Sequence, residues 1–252
     1  MKTKPVLLIP IGGIPLIQPG DDLVKIILGR LRAVRLTLRP GDILALTQKI
    51  VSKAEGAVVD LDSCRPSAKA LKLGRSCGKD ARLVELILRG SKKILRQRAD
   101  LLITEHLSGW VCANAGIDFS NVPGHCVTLL PKDPDGTAQR IRRRIKKTTG
   151  AEVAVLIIDS HGRPFRRGAI GVALGSAGIT SLVDKRGAED LYGYRLKSTE
   201  IALADELASA ASLLMGQASE GIPAVIIRGL KYQKGSQTAQ DLIRPEANDL
   251  FR

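Results

Sequence analysis

The sequence predicts a globular protein of the α/β or α+β class. Short apolar runs alternate with longer amphipathic segments along its 252 residues. Hydrophobic residues make up 44% of the chain, which is enough for a substantial core. A chain of this length forms one large domain or two small ones, and we find no repeat or low-complexity linker. We therefore expect a single domain over residues 1–252, with two lobes around a cleft as the other arrangement.

The strands are predicted from short runs that are apolar and rich in β-branched residues. In chain order they fall at residues 5–10, 43–47, 100–104, 127–130, 153–158, 168–179 and 223–228. Glycines recur at short intervals in the segment 168–179, which indicates a strand packed tightly against another backbone and suggests a dimer seam.

The helices are predicted where apolar residues recur at helical spacing. They fall at residues 23–34, 67–74, 79–89, 138–147 and 199–215. Asp21 and Asp22 stand at the capping end of the first helix, and either Asp135 or Thr137 would cap the fourth. The polar segment 231–252 is predicted to be a peripheral tail.

The charge of the chain favours anionic partners. The net charge is +14, with a pI of about 9.9. Aromatic residues make up only 3%, which leaves few stacking platforms for single-stranded nucleic acid, and no known RNA-binding motif is present. The sequence therefore favours a small anionic ligand, with nucleic acid as the weaker alternative.

The cysteines and the N-terminus suggest a cytoplasmic protein. Cys64, Cys77, Cys112 and Cys126 have no zinc-site spacing, so we expect reduced, structural thiols. No apolar run approaches membrane-spanning length, and the first ten residues lack a signal-peptide pattern. We expect no membrane association.

The most informative stretch is E-V-A-V-L-I-I-D-S-H-G-R-P-F-R-R, at 152–167. Its apolar run is typical of a strand buried on both faces, although a buried helix also fits so short a run. Asp159 and Ser160 would stand at the strand end, before a turn at 162–164. Oxygen ligands beside Arg163 and its neighbouring arginines suit a divalent cation that carries a phosphorylated ligand. The alternative is an aspartate that caps a turn and pairs with an arginine.

Two further segments carry candidate ligand groups. Lys49 and Lys53 follow the strand at 43–47, where lysines often bind phosphate, although solvated lysines on a helical turn fit equally well. The small-residue run 111–121 contains Asp118, which could share a cation with Asp159 or belong to an ordinary Asx-rich loop.

Two other segments resemble anion-binding patterns: the first fits two interpretations, and the second does not match its motif. The helix at 138–147 is strongly basic, which is typical of a solvated face, although an anion- or RNA-binding face is the alternative. The segment 74–79 superficially suggests a phosphate loop, but it is too short between its glycines and has Asp80 where magnesium needs a hydroxyl.

Several motifs occur together and in order, and each is only moderately specific alone. They are G-I-P-L-I (13–17), G-D-D-L (20–23), I-V-S-K-A-E-G (50–56), G-K-D-A-R-L-V-E-L-I-L (78–88), V-C-A-N-A-G-I-D-F-S-N (111–121), L-L-P-K-D-P-D (129–135), D-S-H-G-R-P-F-R-R-G (159–168) and A-D-E-L-A-S-A-A-S-L-L-M-G-Q (204–217). From about residue 9 to 228 the chain closely resembles the coenzyme F420-0:L-glutamate ligase family, also called coenzyme F420 γ-glutamyl ligases.

The resemblance implies an α+β fold with a mixed-sheet core, flanking helices and an intertwined homodimer. It implies a GTP-dependent ligase with two divalent cations per subunit, Mn²⁺ or Mg²⁺, and stimulation by K⁺. The substrates would be coenzyme F420-0, L-glutamate and GTP. An acyl phosphate of the acceptor would form first, and glutamate would then displace phosphate to give an amide and later a γ-linked tail.

The resemblance also implies a set of site residues. Asp118 and Asp159 would bind the first metal, and Ser160 and Gln217 the second. The nucleotide would be surrounded by Ile14, Pro15, Leu16, Ile17, Gln48, Lys49, Lys53, Asn121, Met215, Gly216, Gln217, Ala218, Ser219, Glu220, Gly221 and Ile222. Lys53 and Arg163 are the catalytic candidates.

Three positions depart from the family pattern. Gln48 and Lys49 replace small hydroxyl residues, which leaves nucleotide choice open, and His161 is expected to be a harmless loop substitution. Two other functions remain: a related amide ligase with another anionic acceptor, and a basic RNA-binding protein.

Overall fold

A five-stranded mixed sheet forms the centre of the fold. The structure is a computed structural model and describes residues 5–251. The strands are β1 (Leu7–Ile11), β2 (Ile43–Thr47), β3 (Val58–Asp60), β4 (Ser91–Arg98), β5 (Leu101–His106), β6 (Val111–Ala113), β7 (Cys126–Thr128), β8 (Ala154–Arg163), β9 (Arg166–Ala177), β10 (Val183–Asp184), β11 (Glu200–Ile201) and β12 (Ala224–Arg228). The helices are α1 (Leu23–Ala33), α2 (Gln48–Ala54), α3 (Ala68–Cys77), α4 (Ala81–Arg89), α5 (Pro134–Thr149) and α6 (Leu203–Met215).

The central sheet has the strand order β1-β12-β2-β8-β9. Only β2 and β8 run parallel, and every other neighbouring pair is antiparallel. The predicted α+β class and mixed sheet are therefore confirmed. None of the helices within residues 5–251 is long and apolar enough to cross a bilayer.

Both faces of the sheet are covered, which explains the unbroken apolar runs in β2 and β8. Leu44 and Ile157 pack on one face with residues of α1 and α5. Ile43 and Leu156 pack on the other face with α6. A strand buried on both sides needs apolar residues at every position, so its sequence does not alternate.

Residues 58–130 form a second body, which we call the small-sheet unit. It contains α3, α4, the β3–β7 pair and the three-stranded sheet β4-β5-β6. It has its own apolar cluster, which includes Val84, Ile87 and Leu102. Gly74 lies inside α3, so the segment 74–79 is not a phosphate loop.

The predicted end of the strand at residue 158 is wrong. The strand β8 continues through Asp159 to Arg163 and pairs with β9, where Arg163 lies opposite Arg166. The turn falls at residues 164–165 rather than at 162–164. Antiparallel pairing with β9 supports the polar half of β8, which has no apolar pattern to reveal it. The same reason explains why β4, an exposed strand paired with β5, was not predicted.

Helix capping is partly as predicted. Of the two aspartates predicted at the start of α1, Asp22 is the cap and accepts a hydrogen bond from the Lys25 backbone N–H at 3.0 Å. The prediction of Asp135 or Thr137 as the cap of α5 is wrong, because Asp133 is the cap. The helix begins with a proline, which needs no hydrogen bond there and shifts the start towards the N-terminus.

Asp135 serves another purpose. Its carboxylate accepts hydrogen bonds from the backbone N–H groups of Ser176, at 2.7 Å, and Ala239, at 2.8 Å. Ala239 is fully buried and belongs to the cluster beneath α6. The segment beyond residue 231, expected to be peripheral, is therefore anchored to α5 and β9 in its middle part.

The close backbone packing predicted for residues 168–179 is confirmed, and its neighbours lie in the same chain. A Cβ on Gly171 would lie 2.5 Å from the Ala208 carbonyl oxygen in α6, and one on Gly175 would lie 2.5 Å from the Pro134 carbonyl in α5. These two glycines therefore bring helices against β9 within one subunit, and they offer no argument for a dimer seam.

We predict opposite effects from two glycine substitutions. Gly175→Ala should lower the free energy of unfolding by about 2 kcal/mol, because the new methyl meets backbone atoms that cannot yield without moving α5. Gly29→Ala, on the exposed face of α1 with no atom within 4 Å, should raise it by up to about 1 kcal/mol. Urea denaturation of both variants checks the pair, and equal effects would contradict the close contact.

Candidate active site

A cleft of about 1170 Å³ is lined by the central sheet, the α6 loop and the small-sheet unit. All residues that the sequence analysis assigned to metal binding, nucleotide binding or catalysis line it. They are Ile14, Pro15, Leu16, Ile17, Gln48, Lys49, Lys53, Asp118, Asn121, Asp159, Ser160, Arg163, Met215, Gly216, Gln217, Ala218, Ser219, Glu220, Gly221 and Ile222. The fold brings these distant segments together, while their individual roles remain predictions.

Asp118 is held in the cleft as an ionised carboxylate. It follows the 3₁₀ turn Asn114–Gly116 and forms an isolated bridge with Thr128. Its Oδ2 accepts a hydrogen bond from Lys49 Nζ, and its Oδ1 accepts one from the Ser120 backbone N–H at 2.7 Å. Burial opposes ionisation, but the bonds from Lys49 and Ser120 outweigh it and lower the pKa of Asp118.

Asp159 has the opposite electrostatic environment. Its side chain is only 20% exposed. Burial and the nearby charge of Asp118 raise its pKa to about 6, although hydrogen bonds from the Ser160 backbone and Gln48 act against that shift. The two carboxylates repel each other in one cleft. A cation bound between them would stabilise their ionised forms.

The donor set fits a hard divalent cation. Besides the two carboxylates, the Ser160 hydroxyl and the Gln217 amide oxygen face each other at 2.6 Å. Oxygen donors of this kind suit Mg²⁺ or Mn²⁺. Within residues 5–251 there is no group of three or more His, Cys, Asp or Glu able to hold a metal, so hydroxyl, amide or ligand oxygens would have to complete the coordination.

The lysines of α2 are engaged rather than solvated. Lys49 is 16% exposed and also donates to the Ser120 carbonyl oxygen at 2.7 Å. Lys53 donates to the Asn121 carbonyl oxygen, and burial together with the charge of Lys49 lowers its pKa. Both lysines thus join α2 to the loop that carries Asp118, and the alternative of solvated lysines is wrong for Lys49.

Other predicted nucleotide residues already have partners inside the protein. Gln48 is 2% exposed and accepts a hydrogen bond from the Ser52 hydroxyl at 2.8 Å. Glu220 accepts one from the Ala218 backbone N–H at 2.8 Å, within its own loop. Gln48 is therefore held by Ser52 and stands beside Asp159, while Glu220 shapes the loop after α6.

His161 does not lie in a loop, so that expectation is wrong. It belongs to β8, and its Nε2 is buried with no hydrogen-bond partner in the described part of the chain. That nitrogen lies 4.0 Å from Asp159 Oδ2. Burial lowers the pKa of His161, which favours the neutral imidazole.

Some residues of the cleft were missed by the sequence analysis. Cys112 lies beside Asp159, and burial together with that carboxylate raises the pKa of its thiol to about 12. Arg96, Arg98 and Phe251 also line the cleft. The two arginines lie on β4, which carries no apolar periodicity, so no sequence signal marked that wall.

We predict that Asp159→Asn stabilises the metal-free protein at high pH. The Asp159 carboxyl has a folded pKa of about 6 against an ordinary 3.8, so wild-type stability falls as pH rises between these values. The amide variant should be more stable by up to about 3 kcal/mol at pH 8, and by almost nothing at pH 4. Thermal or urea unfolding in a chelator measures the difference.

Asp62→Asn is the matched control, because that carboxylate is exposed and lies outside the cleft. Its effect on stability should be small and should not grow with pH as that of Asp159→Asn does, because solvent screens an exposed carboxylate. Equal stability of Asp159→Asn and wild type at pH 8 would contradict the raised pKa.

Comparison with known proteins adds independent evidence. Residues 12–229 match the family model described as F420-0:Gamma-glutamyl ligase. A protein of Methanothermobacter thermautotrophicus is 47% identical over 249 residues, which cover 98% of this chain and 99% of that protein. One of Methanopyrus kandleri is 49% identical, covering 94% of this chain and 93% of that protein, and one of Methanocaldococcus jannaschii is 47% identical, covering 85% and 86%. All three are named coenzyme F420:L-glutamate ligase.

Proposed function

This chain belongs to the F420-0:gamma-glutamyl ligase family, and from that premise we propose that it is a GTP-dependent ligase that adds L-glutamate to coenzyme F420-0. One observation carries the proposal most strongly. Asp118 and Asp159, from separate parts of the chain, share a cleft beside two lysines, and the charge of Asp118 raises the pKa of Asp159. Paired carboxylates with neighbouring cations are typical of sites that bind metal-associated phosphates.

The proposed ligands divide between two cations. Asp118 and Asp159 would hold the first Mn²⁺ or Mg²⁺, and Ser160 and Gln217 the second. Such ions, when bound, neutralise charge on the triphosphate. The residues 14–17 and 215–222 line the cleft beside these groups and would enclose GTP. Lys53 would stabilise the phosphoryl group in transfer.

The chemistry proposed for this cleft has two steps. A carboxylate oxygen of F420-0 attacks the γ-phosphorus, the bond to the β-phosphate oxygen breaks, and GDP leaves an acyl phosphate behind. The amino nitrogen of L-glutamate then attacks the acyl carbon, loses a proton, and expels inorganic phosphate to form the amide. Arg163 is proposed to orient a substrate carboxylate. Further rounds would extend a γ-linked tail.

Three accompanying features are proposed on the family resemblance alone. They are stimulation by K⁺, an intertwined homodimer and a cytoplasmic location.

The RNA-binding alternative is weakened by the basic helix itself, because Arg144 of α5 pairs with Asp22 and Arg140 lies 3.6 Å from Glu55. Part of that basic face is thus used inside the fold.

We predict that incubation with GTP, Mn²⁺, L-glutamate and F420-0 yields a product heavier by one glutamyl unit, together with GDP and phosphate. Asp159→Asn should lower the rate by at least about a thousandfold, because the site loses a charged ligand. Mass spectrometry of the product and GDP release measure both quantities.

The control Asp62→Asn should retain wild-type activity. Full activity of Asp159→Asn would overturn the site assignment. GDP release that requires a different anionic acceptor would instead indicate the related amide ligase, and salt-dependent RNA binding without GTP turnover would indicate the RNA-binding protein.

A further inference from the structure

Apart from Arg163, one part of the cleft wall has no role in the assignments above. It is built from β4, β5, β6 and the tip of the β8–β9 hairpin, with Phe251 from the C-terminal segment. We call this surface the arginine wall. Its charged members are Arg96, Arg98, Arg163 and Arg166, and its apolar members include Leu95, Ile103 and Val111.

The guanidinium groups of the arginine wall have no carboxylate partner within residues 5–251. The contacts of Arg96 and Arg163 are backbone carbonyls, at 2.7 Å to Leu95 and 3.2 Å to Gly168. Some arginines elsewhere are paired, as Arg82 is with Asp80 at 2.6 Å and Arg228 with Asp42 at 2.6 Å, while others, such as Arg30, also contact a backbone carbonyl. Unpaired guanidinium groups that line one concave surface are suited to bind phosphate or carboxylate oxygens.

The same wall presents flat apolar surface. Phe251 lines the cleft and packs against Phe165, with ring centroids 5.6 Å apart. Phe165 is not itself a lining residue, but it stands at the hairpin turn between Pro164 and Arg166, which are, and it is 91% exposed. These are two of the three phenylalanines in the chain. Phe165 also has a positive φ of 61°, which is uncommon for a bulky residue. Exposed rings beside half-exposed aliphatic side chains suit a planar aromatic ligand.

We propose that the arginine wall is the acceptor subsite, and that it selects an anionic aromatic compound. This rests on the proposed function. The deazaflavin ring of F420-0 would pack on the apolar strip and the phenylalanines, and its phosphodiester would bind the arginines. Along β8, Arg163 lies four residues beyond Asp159, roughly 13 Å at strand spacing. One extended acceptor can therefore contact the wall and still place its terminal carboxylate near the paired aspartates.

Direct binding by equilibrium dialysis tests the proposal without turnover. Arg96→Gln and Arg166→Gln should each weaken F420-0 binding about tenfold or more and leave GTP binding within about twofold. Phe165→Ala should weaken F420-0 binding by a factor of a few. The matched control is Arg143→Gln, which removes the same charge from an exposed position on α5 outside the cleft.

A second probe separates charge from ring stacking. The deazaflavin without its phosphodiester arm should bind weakly, and Arg166→Gln should change its affinity by less than about twofold. Phe165→Ala should weaken it as it weakens F420-0.

The outcomes distinguish this inference from the proposed function. If wild type binds and uses F420-0 but none of the wall variants weakens binding, the subsite assignment is wrong and the ligase proposal stands. If wild type does not bind F420-0, both fail. If the wall variants instead dissociate an oligomer in sedimentation while F420-0 binding persists, the wall is a subunit contact and the inference is overturned.

Discussion

The ion pair between Lys49 and Asp118 is the contact on which the cleft depends. Lys49 belongs to α2 on the central sheet, and Asp118 belongs to the small-sheet unit. The bond from Lys53 to the Asn121 carbonyl oxygen strengthens the same connection. Because the two bodies have separate apolar cores, these polar contacts fix the width of the space between them. Asp159, on β8, then faces a carboxylate whose position is already set.

The cleft contains unfavourable electrostatic interactions that a bound ligand can relieve. Asp159 is buried beside a second carboxylate, which makes its ionised form unfavourable in the protein alone. Nearby, the nitrogen of His161 is buried without a hydrogen-bond partner in the described chain. A protein can retain such unfavourable groups only when its core makes the free energy of unfolding large enough. Here both faces of the sheet are sealed by helices, so the scaffold can tolerate a strained site.

Much of the fold could be predicted because β2 and the first half of β8 are buried on both faces. Strands in that position need apolar residues throughout, and such runs are visible in the sequence. The polar half of β8 and all of β4 could not, since cross-strand pairing rather than composition makes them strands. The site residues were predicted through the order of motifs, and the fold brings them to one cleft. Arg96 and Arg98 escaped notice because an isolated arginine on an exposed strand looks the same as a solvated one. Asp135 was taken for a cap because sequence cannot show that Ser176 and Ala239 use its oxygens.

The strand order has a consequence for how the chain is made. The sheet places β12, close to the C-terminus, between β1 and β2. While the protein is being synthesised, β1 has no neighbour to pair with until β12 (Ala224–Arg228) has left the ribosome. Only then can β1 join the sheet, whereas α6 can pack against β9 earlier because both precede β12. Contacts between such distant segments slow folding and leave unpaired strand edges exposed in the meantime. A nascent chain stalled before residue 224 is therefore expected to hold an open sheet and to be vulnerable to aggregation.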